Sequence, residues 1–316
     1  MIWVIPIMIA LIASAFIGKV PLHISALLDF QSIDSTIFYQ LRIPRVILAF
    51  LAGGILALSG LLFQTLFRNP LTTPFTLGIS GGATLGAATA IIFGFHQSIF
   101  GFSMISFFAF LGALLTVALI YFFSKKLSST TDHRLILVGI ALSFFFSSLL
   151  LILYYLSDYE ESYLIMRFTM GTLDTVGYGS IMPLLLATGL ILWVAKYFYK
   201  ELQLLSISYE FAYLKGVPVD KVMLTMFATI SLAVGALISI TGPIGFVGLI
   251  VPHIIKLFFK KSVYKLHTIS FVAGGLFLVL CDTLSRALPT ISEVPVGILT
   301  SLIGGLVFIY ILLSKR

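Results

Sequence analysis

RIPRVILAFLAGGILALSGLLFQTLFRNPLTTPFTLGISGG, residues 42–82, decides how this chain reads. Arg42 and Arg45 bracket Pro44 and open an apolar run rich in glycine. Gln64 follows, then the break Arg68-Asn69-Pro70, then the glycine pair at 81–82. Proline fits the first turn of a helix, where its missing N–H is not needed, so the sequence predicts a helix starting near Pro44. Arg42 and Arg45 then lie at the positive end of the helix dipole, where a cation is mildly unfavourable. Dipole complementarity therefore does not explain them. Three roles suit such a pair: interfacial anchors, members of an internal ion pair, or a docking site for an anionic partner. Position alone does not choose among them.

Of the 316 residues, 59% are hydrophobic and only 10% charged, with a mean hydropathy of +1.14. Ordinary soluble domains carry about 25% charge. Long apolar runs recur along the whole length, which identifies an all-α, polytopic integral membrane protein. The short alternating segments of a β-barrel are absent. A single cysteine, Cys281, excludes an intrachain disulfide and a cysteine metal cluster. The net charge of +7 raises the question of nucleic acid, but the basic residues fall in short loops, which is a membrane topology signal instead.

Ten apolar segments are expected, near 1–18, 44–66, 74–95, 98–123, 133–156, 180–198, 221–240, 244–259, 266–288 and 296–313. Ala13-Ser14-Ala15 resembles a cleavage site, but no basic stretch precedes it, so the first segment reads as a span. Several segments are shorter than the ~20 residues of an upright crossing, and their glycines and prolines suggest broken helices. With ten spans both termini share one side. Loops on that side hold 14 of the 19 basic residues, among them Arg68, Lys125, Lys126, Lys200, Lys260 and Lys261. Lys19, Arg42, Arg45, Arg167 and Arg286 fall on the other side, with most of the acids. The positive-inside rule puts both termini in the cytoplasm.

Small residues at four-residue spacing, Ala49, Gly53 and Ala57, then Gly82, Gly86 and Ala90, predict close helix packing. The longest cytoplasmic connection, 199–221, mixes charge with Leu, Ile, Phe and Tyr. It predicts short helices with a turn at Gly216, either lying at the interface or forming a platform for a cytoplasmic subunit. GPIGFVGLIVPHIIK at 242–256 holds too many glycines and prolines for a regular span. His253 has no ligand partner at metal spacing and reads as a packing or capping histidine. Asp282 and Arg286, four apart on one helix face, suit an ion pair.

Taken together these segments resemble the FecCD-type permeases, the membrane subunits of ABC importers for iron-siderophores, haem and vitamin B12. The resemblance covers nearly the whole chain, 1–316, as one transmembrane permease domain. It is carried by RIPR at 42–45, Gln64, RNPLTTP at 68–74, LGISGG at 77–82, the 242–256 stretch, Asp282 with Arg286, and EVPVG at 293–297. It implies a homodimer of ten-helix subunits in the bacterial cytoplasmic membrane, two ATP-binding subunits below and a substrate-binding protein above. Arg42, Arg45 and Arg286 match the arginines that receive the binding protein's glutamates. The coupling helices map onto about 201–221, with Glu210, Ala212, Leu214, Lys215, Gly216 and Val217 as the matching contacts. A short outer helix at about 166–178 is the gate, and Phe168, Met170, Gly171, Leu173, Gly304 and Leu306 line gate and pathway. Four positions depart from the family pattern: Lys215 where leucine is usual, Lys256 for arginine, Phe168 for tryptophan and Leu306 for proline.

The expected function is the permease half of an importer for a ferric siderophore or similar chelate, with haem and corrinoid as alternatives. No GxxxxGK[ST] loop is present, so ATP hydrolysis belongs to a partner; ATP and Mg would sit there, and no cofactor is expected in this chain. An ion-coupled secondary transporter would bury ionisable residues at the midplane, whereas here the charges cluster at segment ends. An intramembrane enzyme would need a motif such as HExxH, and none is found.

Overall fold

Every residue from Leu51 to Phe67 is buried, and the rest of the molecule is arranged around that helix. The computed structural model describes residues 4–20, 22, 32–95, 97–99, 102–126, 132–258, 263–288 and 293–314. Its helices are α1 (Val4–Phe16), α2 (Ile33–Thr36), α3 (Ile43–Leu66), α4 (Ile79–Ile92), α5 (Met104–Lys126), α6 (Asp132–Leu156), α7 (Tyr159–Thr169), α8 (Ile181–Tyr197), α9 (Tyr199–Leu205), α10 (Tyr209–Leu214), α11 (Val219–Thr241), α12 (Val247–Phe258), α13 (Val263–Ala287) and α14 (Val296–Ser314). A two-residue antiparallel pairing, Ser98–Ile99 with Phe102–Ser103, joins α4 to α5.

Each of the ten predicted segments contains an apolar helix. Five stretches are long and apolar enough to cross a membrane: Ile33–Leu66, Met104–Phe123, Ile136–Leu156, Val219–Thr241 and Leu266–Ala287. α8 and α9, bent by 67° at Phe198, make a sixth if taken as one span. α1, α4 and α12, with 13, 14 and 12 residues, fall short of an upright crossing.

The small-residue stripes are where backbones meet. A Cβ on Gly53 would lie 2.2 Å from the Gly274 carbonyl oxygen of α13, and one on Gly60 only 1.8 Å from that of Gly248 in α12. On α4, a Cβ at Gly86 would lie 2.2 Å from the Phe108 oxygen of α5. Dispersion between closely apposed backbones holds such helices together where lipid tails remove the hydrophobic drive.

The start of α3 corrects the sequence reading. The helix does not begin near Pro44: α2 and a π-helical stretch, Ile37–Arg42, run into it without a break. A proline inside a helix removes the hydrogen bond to the carbonyl four residues back. That carbonyl is Gln40, and it accepts the Gly177 amide at 2.8 Å instead. The same logic operates in α12, where Pro252 lies within the helix. It frees the Gly248 carbonyl, which accepts from the buried Gln64 side chain at 3.3 Å. Gln64 in turn accepts from Lys256 Nζ at 3.0 Å. The irregularity expected at 242–256 is confined to residues 242–246.

Candidate functional site

One end of α3 carries Arg45; the other end, at Leu66, meets the 199–221 connection. Twenty-one residues at 1.5 Å each separate them by roughly 30 Å, the thickness of a bilayer core.

At the Arg45 end, Arg45 joins three elements. Its Nε donates to Asp282 Oδ1 at 2.8 Å, and one terminal nitrogen lies 2.5 Å from Glu293 Oε2 and 3.4 Å from Asp174 Oδ1. The second oxygen of Asp282 accepts from Arg286 Nε at 2.9 Å, which realises the expected helical pair. Asp174 also accepts from Arg167 at 2.8 Å. These groups border an open cleft of about 820 Å³ whose lining includes Arg42, Arg45, Arg167, Arg286, Asp174 and Glu293. The three arginines singled out in the sequence therefore converge on one cleft.

They do not face it equally. Arg42 and Arg286 are buried. Arg42 donates to the carbonyls of Ala15 (3.2 Å), Phe16 (2.9 Å) and Val20, and Arg286 to those of Ile17 (2.8 Å) and Ser14 (3.2 Å). A helix leaves its last carbonyls without internal partners and carries partial negative charge there. Two guanidinium groups are clamped over that end of α1. Arg42 and Arg286 thus complement the C-terminus of α1, while Arg45 is matched by carboxylates instead. No local pattern signals this, because α1 and its partners lie 26 to 272 residues apart along the chain.

The short helix of this region is α7, Tyr159–Thr169, which starts and ends earlier than the expected 166–178. Asp158 starts it through a capping box with Glu161: each side chain accepts from the other residue's amide, at 2.9 and 3.1 Å. Past Met170 the chain leaves the helix at Gly171, whose φ of +69° suits glycine. There it crosses the end of α11 and the start of α14: the Thr172 amide donates to Thr241 O at 2.8 Å and the Gly297 amide to Gly171 O at 3.2 Å. Met170 lines the cleft and Leu173 is fully buried. The Phe168 carbonyl lies against Gly242. Gly304 and Leu306 sit elsewhere: a Cβ on Gly304 would meet Phe246 at 2.5 Å, while Leu306 is 65% exposed on α14.

At the far end of α3, the expected short helices are α9 and α10. Tyr209 donates its hydroxyl to the Leu66 carbonyl, and Arg68 stacks on the Tyr209 ring at 5.7 Å. The Ser208 hydroxyl caps α10 and donates to Glu210 at 2.5 Å, which holds that exposed carboxylate below its usual range. α10 ends in a Schellman turn: the Val217 amide donates to Ala212 O at 3.1 Å and the Gly216 amide to Tyr213 O at 2.9 Å, with Gly216 at φ +79°. Ala212 and Val217 are buried, whereas Leu214 is 85% exposed and Lys215 lies over the Phe211 ring. Lys260 lies outside the described residues. No group of three His, Cys, Asp or Glu able to hold a metal occurs among the described residues.

Comparison with known proteins places this geometry. The chain is 32% identical to the hemin transport system permease protein HmuU of Yersinia pestis, over 98% of this chain and 93% of that one. It is 33% identical to the molybdate import system permease protein MolB of Haemophilus influenzae, over 92% and 85% respectively. A solved metal-chelate type ABC transporter in an inward-facing conformation superposes with a TM-score of 0.86 at 30% identity, covering 98% of this chain and 96% of that one. The pattern of the FecCD transport family matches residues 6–314. With apolar helices packed on a buried α3 and motifs at both of its ends, this chain belongs to the FecCD transport family and is an ABC importer permease.

Proposed function

We propose that the chain is the permease half of an ATP-driven importer for a ferric siderophore or similar iron chelate. It works as a homodimer in a bacterial cytoplasmic membrane, with ten membrane segments and both termini in the cytoplasm. A substrate-binding protein docks over the Arg45 cleft, and an ATPase subunit, which holds ATP and Mg, engages α9, α10 and the Gly216 turn. The observation that carries this reading is the placement of the two surfaces at opposite ends of one buried helix. The likeness to a metal-chelate type transporter and to a hemin permease supports iron chelate as cargo; the molybdate relative marks the competing class.

Alternating access follows from that layout. ATP-driven closure moves α10, Tyr209 ties α10 to the end of α3, and α3 carries the motion to the cleft. The test is reconstitution in vesicles with a cognate ATPase and binding protein. Ferric siderophore should be taken up with ATP, and haem, cobalamin and molybdate should not. Uptake of molybdate or cobalamin in its place overturns the cargo, and an ATP-independent, ion-driven uptake overturns the class.

A further inference from the structure

Asp174 lies between two arginines on different helices. Arg45 is rooted in α3, whose core-facing residues belong to the main apolar core. Arg167 belongs to α7, whose buried Ile165 packs in a separate small cluster with Ala88 and Ile91 of α4. Asp174 gives one oxygen to each, 3.4 Å from Arg45 and 2.8 Å from Arg167. Beside it the chain passes through a crossing made of glycines. A Cβ on Gly171, Gly242 or Gly297 would lie within 2.3, 2.2 and 2.2 Å of the carbonyl oxygens of Pro243, Phe168 and Met170. The crossing packs backbone on backbone and is tied by the Thr172–Thr241 and Gly297–Gly171 hydrogen bonds, so it fixes a point about which α7 can turn. Beyond that crossing, the ion pairs at Asp174 join the C-terminal end of α7 to α3.

The acids around Arg45 differ in access. Asp282 is fully buried, but the side chains of Asp174 and Glu293 are 41% and 38% exposed and face the cleft. Exposed pairs exchange readily with other ions and are screened by salt. We propose that Asp174 is an internal stand-in for a partner's carboxylate: it latches α7 to α3 through Arg45, and an acidic partner that takes Arg45 releases α7. The idea rests on reading the cleft as a docking face, but the latch itself is testable with no binding protein present.

The experiment uses full-length protein in nanodiscs, spin-labelled at Tyr159→Cys on α7 and Leu284→Cys on α13, both exposed at 88% and 52%, and diluted with unlabelled protein. Native Cys281 is buried and does not compete for label. Asp174→Asn should lengthen the label distance by several ångströms, as should Arg167→Gln, while Asp174→Glu and the surface control Glu160→Gln keep the wild-type distance. An oligoglutamate peptide should produce the same shift in wild type at low salt, and oligoglutamine should not. An unchanged distance in both Asp174→Asn and Arg167→Gln overturns the latch, whatever docks on the cleft. A shift in those variants that oligoglutamate fails to reproduce overturns the exchange. If all shifts occur and no chelate is transported, the latch stands and the proposed function fails.

Discussion

Arg45 and Arg286 share one carboxylate: Asp282, fully buried, receives Arg45 on one oxygen at 2.8 Å and Arg286 on the other at 2.9 Å. Two cations of like sign are thereby held side by side, their side chains 12% and 4% exposed. Arg45 has Glu293 and Asp174 besides, but Arg286 forms its one ion pair among the described residues with Asp282, and an unpaired buried charge is far costlier than a paired one.

Asp282→Ala should therefore destabilise the protein by about 3–5 kcal/mol. Arg167→Ala, which breaks a half-exposed pair, should cost under about 1 kcal/mol. Thermal unfolding in detergent separates the two. Equal melting temperatures for both variants would mean that Asp282 is not the keystone of the cluster.

The Asp282–Arg286 pair was legible because a four-residue spacing on a helix fixes proximity. The packing stripes on α3 and α4 were legible for a similar reason, since small residues at that spacing serve little else in lipid. Asp174 and Glu293, 129 and 248 residues from Arg45, carry no local pattern that points to Arg45. The start of α3 was misread because Pro44 matches a helix start equally well. Only the tertiary donor from Gly177, which takes the freed Gln40 carbonyl, lets the helix continue upstream.

Close backbone contact makes the glycines of α3 unequal to others. Gly60→Ala places a methyl group 1.8 Å from the Gly248 oxygen, so α12 must shift, at a cost of about 1–3 kcal/mol. Gly189, in α8, has no atom within 4 Å of an added Cβ. Gly189→Ala should be neutral or stabilising by up to about 1 kcal/mol through helix propensity. Urea or SDS unfolding of the two variants checks the contrast, and Gly60→Ala as stable as wild type would refute the close approach.

The Gly216 turn tests the coupling segment by backbone conformation alone. Nothing lies within 4 Å of an added Cβ there, yet φ is +79°. Gly216→Val should then cost roughly 1–2 kcal/mol locally, since a side chain disfavours left-handed backbone. Asn tolerates that region and should be nearly neutral. Copurification of the ATPase should weaken with valine and persist with asparagine. The same retention in both would remove the turn from the ATPase interface.

Orientation is checked by labelling. Val176 and Leu214 are 79% and 85% exposed and lie near opposite ends of α3. Val176→Cys should react with a membrane-impermeant maleimide in spheroplasts, and Leu214→Cys only after the membrane is opened. The reverse pattern would invert both partner assignments.

The cleft arginines divide into two clamps on α1 and a third, Arg45, the one proposed for docking, and salt distinguishes them. Arg45 borders the cleft through exchangeable pairs, whereas Arg42 and Arg286 spend their donors on the carbonyls that end α1. Charge pairs at an interface rim act mainly on the association rate and fade with ionic strength. Arg45→Glu should slow association of an acidic binding protein strongly at low salt, with the deficit shrinking as salt rises. Arg42→Gln should instead lose charge-assisted bonds worth about 1.5–3 kcal/mol each and lower the melting temperature, with a smaller, less salt-sensitive effect on association. Binding-protein association to nanodisc complexes across a salt series, beside thermal melts of the same samples, reads both quantities. If Arg42→Gln slows docking as Arg45→Glu does and melts like wild type, then Arg42 belongs to the docking surface and its grip on α1 is dispensable.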